Sequence, residues 1–118
     1  MNNYKELIVW QKARVFTKDI YLLLKTFPSD EKFGLISQIK RATISITSNI
    51  AEGSGRYTKK DFSRFLDIAL GSCYEVENQL ILSSDLGFIN EQNLTEYIST
   101  INEIEKMLIG FIKSIRNK

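Results

Sequence analysis

The chain has 118 residues, 43% of them hydrophobic, with one proline, six glycines and one cysteine, so residues 1–118 read as a single domain with one core. It has no histidine, which excludes Ser-His and Cys-His nucleophile pairs and the His ligands of most catalytic zinc sites. Sixteen basic residues against fourteen acidic ones leave a net charge of +2, so any preference for polyanions must come from where the charges sit.

Apolar residues recur at helical spacing in four segments. The first is predicted from Glu6 to Thr26, with Trp10, Ala13, Phe16, Ile20 and Leu23 on one face, and Pro28 and Ser29 stop it. The second is predicted from Asp30 to Gly53, on a seam of Ile36, Ile39, Thr43, Ile46 and Ile50. Gly53 and Gly55 are expected to supply the positive φ that ends helices at little cost. Thr58, with Asp61 three residues on, resembles a capping box for the third helix. That helix carries Phe62, Phe65, Leu66, Ala69, Cys73, Val76 and Leu80 on its core side and ends at Gly87. Asn90 caps the fourth, where Leu94, Ile98, Ile101, Ile104 or Glu105, Leu108, Phe111 and Ile115 form a near-heptad stripe. Short connections between long helices imply antiparallel neighbours. The expected fold is all-α, an antiparallel up-down-up-down four-helix bundle.

The second helix carries a polar stripe beside its apolar one: Arg41, Ser45, Ser48 and Glu52. A plain solvent face favours Lys, Glu and Gln over Ser and Asn, so this face is expected to pack against something. Counting outward from the turn near Arg56, Arg41 falls level with Ser72 and within reach of Glu75, and Glu52 sits four residues before Arg56. Arg41 and Glu75 are therefore expected to form an ion pair between helices 2 and 3, with Ser45 and Asn49 as small packing residues beside it. The alternative makes Arg41 a ligand contact.

In an up-down bundle the second turn and the C-terminus share one pole. Arg56, Lys59, Lys60 and Arg64 cluster at that turn, with Lys113 and Arg116 at the C-terminus, whereas Leu66 to Glu105 contains eight acidic residues and no Lys or Arg. One pole should thus suit polyanions and the other, with Asp85, Glu91 and Glu96, should not. The plainer alternative is that these charges solvate the helix ends and complement the helix dipoles.

Consecutive apolar residues at Leu22-Leu23-Leu24, Leu80-Ile81-Leu82, Phe88-Ile89, Leu108-Ile109 and Phe111-Ile112 cannot all face one core. Some must point outward, which suggests subunit contacts and a homo-oligomer. No apolar run approaches the roughly 20 residues of a membrane span, and the charged N-terminal stretch is unlike a signal peptide. The lone Cys73, on an apolar stripe, is expected to be a small core residue. A cytoplasmic protein is expected. Glu75 and Glu77 lie roughly 200° apart around a helix and cannot share a metal. No Walker loop or dinucleotide turn is present, so neither a cofactor, a metal nor an enzymatic activity is expected.

LIVWQKA at Leu7 to Ala13, GLISQIKRATISITSNIAEGSGR from Gly34 to Arg56, FSRFLDIALGSCYEVENQL from Phe62 to Leu80 and DLGFI at Asp85 to Ile89 closely resemble the bacterial rRNA intervening-sequence proteins. The matched motif residues are Arg41, Ser45, Asn49, Glu52, Gly53, Arg56, Phe65, Gly71, Ser72 and Glu75. Some members of this family are labelled ribosomal proteins. The resemblance implies a four-helix bundle that assembles as a ring, a pentamer. It also implies kinship with the accessory protein of diversity-generating retroelements, a basic pentameric bundle that binds nucleic acid and a reverse transcriptase. Two functions are expected on this footing. The first is non-catalytic binding of nucleic acid, RNA foremost and DNA otherwise, at Arg56, Lys59, Lys60, Arg64, Lys113 and Arg116. The second is a scaffold for a protein partner such as a polymerase or ribosomal component.

Overall fold

A computed structural model describes residues 3–117. A 3-10 turn at Tyr4–Glu6 leads into helix α1, Ile8–Leu24, and a second at Ser29–Glu31 precedes α2, Leu35–Ser54. Helices α3, Lys59–Asp85, and α4, Glu91–Arg116, complete an all-α chain with no strand among the described residues.

The helix ends follow from local chemistry. Thr58 Oγ1 accepts a hydrogen bond from Asp61 N at 3.1 Å, and Asn90 Oδ1 accepts one from Asn93 N at 2.8 Å. Each satisfies one donor that the first helical turn leaves without a partner. Helix α2 begins at Leu35, five residues later than the sequence suggests. Asp30 instead belongs to the 3-10 turn, and Glu31 Oε1 accepts from Leu35 N at 3.3 Å. The glycines also divide their roles differently from expectation. Gly55 has φ −88°, and Gly87, at φ 83°, is the only positive-φ residue among those described. There Phe88 N donates to Ser83 O and Gly87 N to Ser84 O, both at 2.9 Å, the paired bonds of a Schellman ending.

Gly53 serves packing instead. A Cβ there would lie 2.6 Å from Phe65 Cβ and 3.0 Å from Phe62 Cδ1, so only glycine lets α2 approach α3 this closely. Farther along the same interface Ser45 meets Ser72. Contacts on the other side run in the same reversed order. Phe62, early in α3, meets Phe111, late in α4, with ring centroids 5.4 Å apart. Leu22 and Leu23, late in α1, share a cavity with Asn93 and Tyr97, early in α4. In these three pairs the end of one helix lies beside the start of the other.

The buried core joins all four helices through Phe16, Ile20, Ile39, Ile46, Ile50, Leu66, Val76, Leu80, Ile101, Ile104 and Leu108, each less than 2% exposed. Cys73 lies fully buried among them, and burial, followed by the charges of Glu105 and Glu77, pushes its thiol up to about 12. No helix among the described residues is long and apolar enough to cross a membrane.

Candidate nucleic-acid interface

The turn between α2 and α3 is short and pinned. Gly55 N donates to Glu52 O at 3.2 Å and Arg56 N to Gly53 O at 3.0 Å on one side, and the Thr58 cap fixes the other. This turn delivers Lys59 and Lys60 to the first positions of α3, with Arg64 one turn farther on. The last turn of α4 brings Ile115 and Arg116 against them. Lys59, Lys60, Ser63, Arg64, Ile115 and Arg116 together line an open cavity of about 420 Å³. Ser63 is buried, and its hydroxyl donates to Lys60 O at 2.9 Å, which closes the cavity floor.

Four of the six predicted contact residues therefore meet: Lys59, Lys60, Arg64 and Arg116. Arg56 and Lys113 are exposed at the same end without lining the cavity. Arg56 is held elsewhere. Its guanidinium donates to Glu52 Oε1 at 3.0 Å and lies over the Phe65 ring, 4.6 Å from the centroid. Arg116 pairs with the exposed Asp67. Among the described residues Lys59, Lys60 and Arg64 take part in no ion pair, so theirs are the charges a ligand would meet first.

Among the motif residues, Arg41 and Glu75 do not form the expected bridge. Both are exposed, and they make no ion pair among the described residues. The α2–α3 interface is held at this level by hydroxyls and an amide. Ser72 Oγ donates to Ser45 Oγ at 2.8 Å, and Asn49 Nδ2 donates to Ser45 Oγ at 2.9 Å and to Ser45 O at 2.8 Å. Of the predicted polar stripe only Ser45 is packed, since Ser48 and Glu52 face solvent with Arg41. The reason is geometric: helices close enough for two serine side chains to touch leave long charged side chains only the rim. Gly71 has open space where a Cβ would stand.

The opposite end differs in charge. Glu31 and Asp85 flank a cavity of about 500 Å³ formed with Leu35, Gln38, Gln79 and Leu86. Two features of the charge layout escape sequence reading. Asp67, one turn beyond Arg64, offsets Arg116. Tyr57, which a turn position barely marks in sequence, stands 93% exposed in the turn that leads to Lys59.

The described residues form a four-helix bundle with a cationic cavity at one end and an acidic groove at the other. The chain belongs to the 23S rRNA-intervening sequence protein family, whose profile matches residues 5–110. It is also similar to a crystal structure of a protein of unknown function from the S23 ribosomal protein family of Bacteroides thetaiotaomicron VPI-5482. The two are 32% identical with a TM-score of 0.84, and the match covers 90% of this chain and 99% of that one. No curated protein shows significant similarity.

Proposed function

We propose that this protein is a non-catalytic, cytoplasmic nucleic-acid-binding protein, acting on RNA, and that it works as a homo-oligomer, a pentamer. The observation that carries the reading is the cavity where Lys59, Lys60, Arg64 and Arg116 converge at the N-terminus of α3. Cationic side chains and the positive end of a helix favour the same ligand, a phosphate group. Phosphate contacts carry little sequence information, so recognition rests on backbone and shape. In an assembly several copies of a weak site act together and raise the overall affinity.

Binding of a structured RNA, followed by fluorescence anisotropy over a range of salt, tests the proposal. Affinity should fall steeply with salt, and Lys59→Glu, Lys60→Glu and Arg64→Glu together should abolish retention without changing the oligomer. Each phosphate contact removed should flatten the logarithmic salt slope by about one unit. Absence of binding at low salt overturns the reading.

A scaffold for a protein partner is the second reading, favoured by one observation. Ile8, Val15 and Leu22 fall seven residues apart along α1 and are 69%, 60% and 51% exposed. Binding that persists at high salt belongs to that reading.

A further inference from the structure

Two of the three inter-helix turns, at opposite ends of the bundle, each present one aromatic ring almost wholly to water. Phe33 is 91% exposed and Tyr57 93%. Their settings differ. Phe33 follows Asp30 and Glu31, and Lys32 already lies over its ring, 5.6 Å from the centroid. Tyr57 stands between Arg56 and Lys59, and among the described residues neither an aromatic nor a cationic side chain covers its ring. The neighbouring guanidinium of Arg56 is held over Phe65 and bound to Glu52.

The backbone carrying Tyr57 is fixed on both sides. Hydrogen bonds from Gly55 N and Arg56 N tie the chain to the end of α2, and the Thr58 cap ties it to α3. The ring is therefore displayed from a pinned backbone, so a ligand that covers it need order only the side chain. Lys59 follows two residues later, so the two Cα atoms lie within about 7 Å of one another. That separation is on the scale of one nucleotide.

We infer that Tyr57 is a base-stacking platform, and that the basic end of the bundle binds unpaired nucleotides, with the base on Tyr57 and the adjoining phosphates on Lys59, Lys60 and Arg64. The inference rests on the nucleic-acid reading above and narrows it to single strands. Every base has a π-face, so stacking is tolerant of sequence, in keeping with a site that has few side chains to read base edges. A base inside a duplex is already stacked on its neighbours and is not available to the ring.

The test uses the full chain and a labelled single-stranded RNA of about 12 nucleotides, a length within the range that single-strand-binding folds occupy, alongside its blunt duplex. The single strand should bind more tightly than the duplex. Tyr57→Ala should weaken single-strand binding by roughly five- to a hundredfold, the range expected for loss of one stacked base. Its logarithmic salt slope should stay unchanged, because no phosphate contact is lost, and Tyr57→Phe should retain binding. Lys60→Glu should reduce the slope. If single strand and duplex bind alike and Tyr57→Ala binds as wild type does, the stacking inference falls while nucleic-acid binding stands. If neither RNA binds, both fall.

Discussion

Ser45 and Ser72 meet hydroxyl to hydroxyl at 2.8 Å across the α2–α3 interface, at the level where Arg41 and Glu75 stand exposed on its rim. Stability at this level therefore depends on the small polar pair. Ser45→Ala leaves both the Ser72 hydroxyl and the Asn49 amide without their shared acceptor, and should cost about 1–2 kcal/mol. The Ser45→Ala, Ser72→Ala double variant should cost less than the sum of the singles in thermal unfolding. Arg41→Ala and Glu75→Ala should each stay within about 0.5 kcal/mol of wild type and add independently.

Gly53→Ala should be among the most damaging single-methyl additions. The new Cβ would meet the Cβ of Phe65 at 2.6 Å and the backbone oxygen of Phe62 at 3.3 Å, so α2 and α3 must separate. A loss of about 1–3 kcal/mol in denaturant unfolding is expected. Gly71→Ala provides the contrast, since nothing lies within 4 Å of its added Cβ. There the better helix propensity should stabilise the chain by about 0.5–1 kcal/mol.

The pH dependence of stability should carry the mark of Glu105. This side chain is 7% exposed, and its Oε2 has no hydrogen-bond partner. Burial, then hydrogen bonding to Glu77 and the charge of Glu77, raise its carboxyl from the ordinary value of 4.5 to about 8. Between those values the folded chain holds a proton that the unfolded chain has released, so this contribution is complete below about pH 4.5 and is lost as the pH climbs through 8. Glu105→Gln keeps the shape without the charge. The variant should be more stable than wild type near neutrality and should flatten the thermal-stability profile across that window.

Assembly should be visible in light scattering as a mass several times the 13.6 kDa of the chain. Ile8, Val15 and Leu22 form an exposed heptad row on α1, and on α3 Ile68 and Leu82 are 51% and 45% exposed. Val15→Glu or Leu22→Glu should lower the mass without unfolding the bundle, as far-ultraviolet circular dichroism would show. A wild-type monomer at micromolar concentration would remove both the ring and its multivalent binding.

Much of this architecture is legible in sequence because helices reveal their buried faces by spacing. Ile39, Ile46, Ile50, Leu66, Ala69, Val76 and Leu108 are buried as their period requires. The Thr58 and Asn90 caps are equally plain, since few side chains other than these short polar ones reach the first-turn amides. The start of α2 is less so. Residues 30–34 suit a helix by composition, yet the chain turns there to bring α2 beside α1. The role of Gly53 is also hidden, because φ preference and close approach select the same residue and only coordinates separate them. For the basic end, spacing identifies Lys59, Lys60 and Arg64. The i,i+4 spacing of Glu52 and Arg56 is visible there too, but it does not reveal that Arg116 is engaged with Asp67, since that pairing depends on the distance between α3 and α4. The expected Arg41–Glu75 bridge fails for that same reason: alignment along a bundle fixes level and leaves depth open.

The length of the bundle has an electrical consequence. Its long axis extends 45 Å, with Lys59, Lys60 and Arg64 near one end and Glu31 and Asp85 near the other. At physiological ionic strength the screening length is about 8 Å, a small fraction of that span. A polyanion at the cationic end is thus shielded from the carboxylates at the far end, and each end behaves as a separate local field. The +2 total charge describes migration in an electric field far better than it describes what the tip of the molecule attracts. In dilute salt the screening length grows to about 30 Å, and the opposed ends then act together as a dipole that turns the molecule tip-first toward an anionic surface before contact.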